Sequence, residues 1–116
     1  MKRTTSLLLL LAALALLAGC NYAKKIVYVE IANRSGQPMR NVELKYPSGS
    51  FGLAELRGDQ SHERMVPAGS PCAFELNFEN SGKKFSQKAD FGAQCPLRVG
   101  FDVGEGMKIS SRVVKP

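Results

Sequence analysis

From residue 26 onward, apolar and polar residues alternate along the chain with a period of two. In the first such segment Val27, Val29 and Ile31 fall on one face while Glu30 falls on the other, as in a strand with one buried side. The alternation predicts a series of strands whose inward-facing sets are Val42, Leu44 and Tyr46, then Phe74, Leu76 and Phe78, then Phe85 and Ala89, then Leu97, Val99, Phe101 and Val103, and finally Met107, Ile109 and Val113.

Two segments alternate less clearly. Between Phe51 and Leu56 the apolar spacing fits neither a strand nor a helix, so both a short strand and an irregular crossover stay open. Ser61 to Val66 is more polar than the other segments and predicts an edge strand. Clusters of glycine, proline, serine and asparagine separate the segments and predict turns at 33–36, 47–50, 57–59, 67–71, 80–82 and 104–106.

This pattern indicates an all-β fold. Seven or eight short strands with a turn signal about every eight to twelve residues are typical of a small antiparallel β-sandwich. No stretch between the strands has the period of a helix long enough for a parallel α/β fold. The strand order resembles immunoglobulin-like and fibronectin-like sandwiches, although the chain has no tryptophan and its cysteine pair comes late.

The first nineteen residues have the composition of a secretory signal peptide. Basic Lys2 and Arg3 precede an apolar run of eleven residues from Leu7 to Leu17, and small residues follow it. A helix needs roughly 20 apolar residues to span a bilayer, so the run is too short for a permanent span. We expect residues 1–19 to be removed on export.

The sequence Leu17-Ala18-Gly19-Cys20 resembles the lipobox of bacterial lipoproteins. The resemblance implies cleavage after Gly19 and attachment of diacylglycerol, with palmitate-type chains, to Cys20. In that class an aspartate after the cysteine commonly signals retention in the inner membrane, so Asn21 implies the outer membrane, with the protein facing the periplasm. The expected organisation is a signal peptide at 1–19, a lipidated tether at 20–25 and a β-sandwich domain at 26–116.

Charge narrows the range of partners. The formal net charge of +6 falls by two, to +4, when Lys2 and Arg3 leave with the signal peptide. This mild excess is dispersed, and export takes the domain away from the cytoplasm, so nucleic acid is not an expected partner. Lys24 and Lys25 lie close to the expected lipid, where they are either attracted to anionic headgroups or simply solvated at the edge of a strand.

Two cysteines remain once Cys20 is assigned to lipid. Cys72 and Cys95 form an even pair in an oxidising compartment, which predicts a disulfide worth about 3 kcal/mol by loop entropy. A metal site or a redox pair is the alternative. A zinc site needs further ligands, however, and His62 is the only histidine in the chain.

His62 is the one side chain that ordinarily titrates near neutral pH. Its neighbour Glu63 would point to the opposite face of a strand, so the two do not form a simple catalytic dyad, and we expect His62 to face solvent. Arg57-Gly58-Asp59 has the form of an adhesion motif and Asn33-Arg34-Ser35 that of a glycosylation acceptor, but both consist of ordinary turn residues. Gly104-Glu105-Gly106 lacks the context of a phosphate-binding loop.

The sequence favours a non-enzymatic binding or structural module with no cofactor. Its expected partners are the membrane, through lipid on Cys20, and another envelope protein, the cell wall or a glycan. The polar segment Ser61 to Val66 either pairs with a partner strand or is a protected edge. The competing hypothesis is a periplasmic enzyme or inhibitor whose site is built around Asp59, His62 and Glu63.

Overall fold

The computed structural model describes residues 25–115, so the signal peptide, the lipobox and Cys20 lie outside the described residues. Within this range the chain is all-β, as predicted. Its strands are β1 Ile26–Asn33, β2 Met39–Tyr46, β3 Gly49–Leu56, β4 Ser61–Pro67, β5 Ala73–Asn80, β6 Lys83–Asp90, β7 Arg98–Val103 and β8 Ile109–Val114, with a short 3₁₀ helix at Glu105–Met107.

The strands form two four-stranded sheets packed as a β-sandwich. The first sheet has the order β4-β1-β7-β8 and the second the order β3-β2-β5-β6. All neighbouring strands are antiparallel except β1 and β7, which run parallel with Tyr28 opposite Arg98 and Asn33 opposite Val103. The prediction of an antiparallel sandwich therefore misses one pair. The two strands of that pair are far apart in sequence and are not joined by a hairpin.

The inner faces of the sheets form one hydrophobic core. Alternation in β1, β5 and β7, and in β2 beyond the register shift between Arg40 and Glu43, places every second side chain in this core, which confirms most of the predicted inward positions. Phe85 and Ala89 of β6 are half-buried and pack against the core. Its largest fully buried members are Phe74, Phe78, Phe101, Ile31, Met39, Leu44 and Leu76.

The ambiguous segment before residue 57 is a strand. β3 forms a hairpin with β2, in which Phe51 lies opposite Leu44 and Leu53 lies opposite Val42. Both residues of β3 turn toward the core. Only Pro47 and Ser48 remain in the turn, because the strand already begins at Gly49.

Three predicted inward positions near the end of the chain differ in the structure. Leu97 precedes β7 and is 51% exposed. Met107 is buried, but it belongs to the 3₁₀ helix rather than to the last strand. Val113 lies opposite Val99, yet it is 40% exposed because β8 is at the edge of its sheet and has a neighbour on one side only.

The hairpin of β5 and β6 forms where the sequence predicts it. Ser81 and Gly82 form a two-residue turn with φ values of 51° and 77°. Positive φ at both positions is what a tight turn between right-twisted strands requires. The turn fixes the register that places Phe78 against Phe85, with ring centroids 5.3 Å apart.

The predicted disulfide between Cys72 and Cys95 is present, with Cα atoms 5.3 Å apart. Cys72 extends the base of the hairpin, since its carbonyl accepts a hydrogen bond from the amide of Phe91 at 2.8 Å. Cys95 lies in the segment that leads into β7. The bond therefore links the second sheet to the first.

Candidate functional site

The outer face of the first sheet carries the largest concentration of exposed apolar side chains. Strand register aligns Met65, Tyr28, Arg98 and Val114 in one row across β4, β1, β7 and β8. Ile26 lies two residues before Tyr28 on the same face of β1. We call Ile26, Tyr28, Met65 and Val114 the apolar patch.

The side chains of the apolar patch are substantially exposed. Their exposed fractions range from 43% for Tyr28 to 58% for Met65. The other large hydrophobic residues exposed in the described part of the chain lie outside the patch: Leu97 precedes β7, and Val113 is on the inner side of the edge strand β8. A group of exposed apolar side chains on one sheet face is a candidate contact site.

Arg98 adds a cationic group to this row. Its guanidinium carbon lies 5.8 Å from the centre of the Tyr28 ring, and its Nη2 lies 3.2 Å from Oε1 of Glu63. The row therefore combines apolar side chains, one phenol and one paired cation.

The other half of the same face is ionic. Arg112 donates from Nη2 to Glu30 and to Asp102, at 3.0 Å in each case, and its Nε donates to the second oxygen of Asp102. Arg34 approaches Asp102 at 3.7 Å. The hydrogen bonds with Asp102, and then with Glu30, raise the pKa of Arg112. We call these four residues the ionic cluster.

Gly100 makes room for the ionic cluster. It lies between Glu30 and Arg112 in the register of the sheet. A Cβ at this position would meet Nη2 of Arg112 at 3.2 Å, so the guanidinium group lies directly over the glycine backbone.

A groove of about 670 Å³ opens at the end of the sandwich where β1 begins. Its lining includes Lys25, Ile26, Ala68, Cys95 and Leu97. Because Ile26 belongs to both, the groove is continuous with the apolar patch. This is also the end of the domain that follows the predicted tether.

The structure does not bring Asp59, His62 and Glu63 together as one site. Glu63 points outward to Arg98, whereas His62 lies opposite Ile31 on the inner side of β4. Asp59 lies in the turn before β4, where its backbone amide donates to the carbonyl of Asn33.

His62 is half-buried, whereas the sequence predicted a solvent-facing side chain. Its ring centre lies 5.9 Å from that of Phe51, and its Nε2 is buried without a hydrogen-bond partner. Burial and, secondly, the charge of Arg64 lower the pKa of His62. The structure gives this imidazole an aromatic neighbour on the opposite sheet.

The prediction that Ser61 to Val66 is an edge strand is confirmed, since β4 is the outermost strand of its sheet. Two of its inward positions carry His62 and Arg64 instead of aliphatic residues, and the Arg64 guanidinium lies 4.2 Å from the centre of the Phe51 ring. Inward-pointing charge is a common protection against strand pairing. The arrangement favours a protected edge over β-addition.

Asn33 is a structural residue of its turn. It is fully buried, and its side-chain amide donates to the carbonyls of Gln37 and Leu56 at 2.7 and 2.8 Å. Its Oδ1 accepts from the hydroxyl of Ser35 at 2.7 Å. This network uses the amide that glycosylation would modify, and it ties β1 of the first sheet to the end of β3 in the second.

The Arg57-Gly58-Asp59 tripeptide is held against a neighbouring turn. A Cβ at Gly58 would lie 2.9 Å from the carbonyl carbon of Gly36, so the two glycine backbones are in close contact. The Arg57 amide donates to Oε1 of Gln60 at 3.0 Å. These contacts favour the interpretation of the tripeptide as a packed turn.

Across residues 25–115, no group of three or more histidine, cysteine, aspartate or glutamate side chains is arranged to hold a metal ion. No helix in this same range has the length and hydrophobicity to cross a membrane.

Sequence alternation missed the apolar patch because it assigns apolar residues to the core and outward positions to solvent. A signal is present in β1, where Ile26 and Tyr28 interrupt the expected polar positions. Met65 is a similar exception in the polar strand β4. That these residues form one surface follows only from strand register.

The fold and this face define a small two-sheet β-sandwich with one partly apolar outer surface. No protein-family model and no curated protein sequence matches the chain. Among solved structures, the chain is similar to a protein from Eubacterium rectale determined by NMR, with a TM-score of 0.53 and 14% sequence identity. The match covers 80% of this chain and 92% of that one, and at this identity it supports the fold alone.

Proposed function

We propose that this chain is a lipid-anchored protein of the cell envelope that works as a non-enzymatic binding or structural module. In this proposal Cys20 carries the lipid, and the β-sandwich faces the periplasm from the outer membrane. The domain acts by contact with another envelope protein, the cell wall or a glycan.

The observation that carries the proposal is the placement of the three cysteines. Cys72 and Cys95 are bonded to each other within the sandwich. Cys20 is the third cysteine of the chain and completes the lipobox-like sequence directly after the signal-like segment. A second or third acyl chain makes anchoring stable, whereas one chain holds only marginally.

Labelling with an alkyne analogue of palmitate tests the anchor. We expect label on the natural protein and none on Cys20→Ala, and the mass of the mature N-terminal peptide should match diacylglyceryl-cysteine. A variant with both Cys72→Ala and Cys95→Ala is the matched control and should keep the label. An unmodified Cys20, or a mature protein that retains residues 1–19, would contradict the proposal.

Crosslinking in intact envelopes tests the contact-based function. We expect a defined partner to be captured, and His62→Ala should fold and capture the same partner. An empty result across all envelope fractions would count against a binding module. Loss of a measurable activity in His62→Ala with its fold intact would instead favour the enzyme or inhibitor.

A further inference from the structure

We propose that the apolar patch lies on the lipid surface, so that the outer face of the first sheet rests against the membrane and that of the second sheet faces away. The inference rests on the lipid anchor at Cys20 proposed above. The anchored domain then has a defined orientation, and the membrane itself covers the exposed apolar face.

The length of the tether supports this occupant. Ile26 follows Cys20 by six residues, and a chain spans at most about 3.4 Å per residue, so the patch begins within about 20 Å of the proposed lipid. Tyr28, Met65 and Val114 lie in the next outward-facing row. A tether of this length keeps the patch at a high effective concentration next to the membrane.

The chemistry of the patch suits a membrane interface. Tyrosine is enriched where lipid meets water, because its ring is apolar and its hydroxyl is polar. Ile26, Met65 and Val114 offer aliphatic and thioether groups around Tyr28. Interfacial apolar faces of proteins commonly enter the headgroup and acyl boundary by about 5–10 Å.

Charge around the patch has the sign that attracts anionic headgroups. Exposed Lys25 precedes Ile26, and exposed Lys115 follows Val114 at the far side of the patch. Of the acidic residues on this face, Glu30 and Asp102 lie in the other half, where they bind Arg112, and Glu63 beside Met65 is paired with Arg98. Basic groups therefore border the half of the face near the anchor, and anionic lipid attracts such groups.

The second sheet offers no comparable surface. Its outer face has Lys45, Glu75 and Lys88 in one row and Glu43, Asn77 and Ser86 in the next. None of the large exposed hydrophobic residues in the described range belongs to this sheet. The outer face of the first sheet is therefore the one that we expect to turn toward lipid.

Single-tryptophan fluorescence tests the orientation, because the natural chain contains no tryptophan. Met65→Trp places the probe in the apolar patch, and Ser86→Trp places a matched control on the exposed outer face of the second sheet. Each variant, purified in the mature form that its own cells produce, is reconstituted into vesicles of phosphatidylethanolamine and phosphatidylglycerol with acyl chains brominated near the headgroup. Circular dichroism checks the fold.

We expect the Met65→Trp emission to shift to the blue and to be quenched several-fold more by brominated lipid than the Ser86→Trp emission. Adding Val114→Glu to Met65→Trp should remove most of this quenching. Equal quenching of the two probes overturns the proposal. A blue shift at position 65 without bromine quenching also overturns it, because the probe is then buried away from the acyl chains.

Flotation of the vesicles separates failure of this inference from failure of the anchor. Protein that does not float with the vesicles overturns the anchor at Cys20 and, with it, the orientation. If the protein floats while its Met65→Trp probe stays solvent-exposed, the proposed orientation is wrong, but the proposed lipid anchor is not contradicted.

Discussion

The two outer faces of the sandwich differ, although the two inner faces share one core. The outer face of the second sheet alternates charges, as in the row of Lys45, Glu75 and Lys88. The outer face of the first sheet is divided into an apolar patch and an ionic cluster. The fold requires an apolar inner face on each sheet but sets no such requirement outside. The difference between the outer faces is therefore not explained by folding, and we attribute it to contacts made by the outer face of the first sheet.

The largest expected effects come from the inner faces, where the sheets should be equivalent. Phe101→Ala in the first sheet and Phe78→Ala in the second each remove a fully buried ring and should lower the free energy of unfolding by about 3–5 kcal/mol. Denaturant unfolding measures both, with Phe→Leu at each position as control. A small effect in one sheet only would contradict a shared core.

Breaking the disulfide should separate the sheets at the end where β1 begins. The bond spans 23 residues of sequence, so the double variant Cys72→Ala and Cys95→Ala should lose about 3 kcal/mol of unfolding free energy. Faster hydrogen exchange near the entry of β7 should accompany the loss. An unchanged unfolding midpoint would show that the bond does not support the sandwich.

Asn33 links the sheets at the opposite end. Asn33→Ala leaves the carbonyl of Leu56 without its 2.8 Å hydrogen bond and should cost about 2 kcal/mol of unfolding free energy. Ser86→Ala, which removes one exposed hydrogen bond, is the control and should change little. Thermal unfolding of the two variants gives the comparison. Equal losses of unfolding free energy would contradict a structural role for Asn33.

The ionic cluster should contribute less to stability than either link. Arg112→Gln removes exposed contacts with Glu30 and Asp102, so we expect a loss below about 1 kcal/mol that shrinks as salt is added. Unfolding at low and high ionic strength measures it. A large loss that does not depend on salt would mean that these contacts are not screened by solvent.

The smallest expected effect is the titration of His62. Its pKa in the folded protein is lowered from the ordinary value of 6.5, so the unfolded chain binds the proton more tightly. Stability from this group is complete above 6.5 and is lost as the pH falls from there through the folded-state pKa. Unfolding measured from about pH 8 to about pH 5 should show a shallower decline in His62→Gln. Identical slopes would contradict the assignment.

Sequence alternation predicts the elements that depend only on residues close together in the chain. β5 and β6 follow strict alternation around an Asn80-Ser81-Gly82 turn, and the hairpin forms there. The sequence of β3 is ambiguous because Gly52 and Ala54 occupy its outward positions and give no polar signal. The disulfide was predictable from the even count of cysteines left after Cys20.

Features that depend on distant strands could not be predicted. The parallel pairing of β1 with β7 joins segments separated by the whole second sheet. The row of Met65, Tyr28 and Arg98 exists only because three strands meet in this register. The polar neighbours of His62 in sequence indicate a solvent-facing side chain, and they carry no signal for its contact with Phe51 on the opposite sheet.

Oxidative footprinting of the natural methionines tests the central contrast between the outer faces most directly. Met65 is 58% exposed, whereas Met39 and Met107 are buried. On anionic vesicles, the acylated protein should oxidise at Met65 several-fold more slowly than mature Cys20→Ala free in solution, while acetylation of Lys88 on the other face stays unchanged. Equal oxidation of Met65 in the two forms would contradict the account.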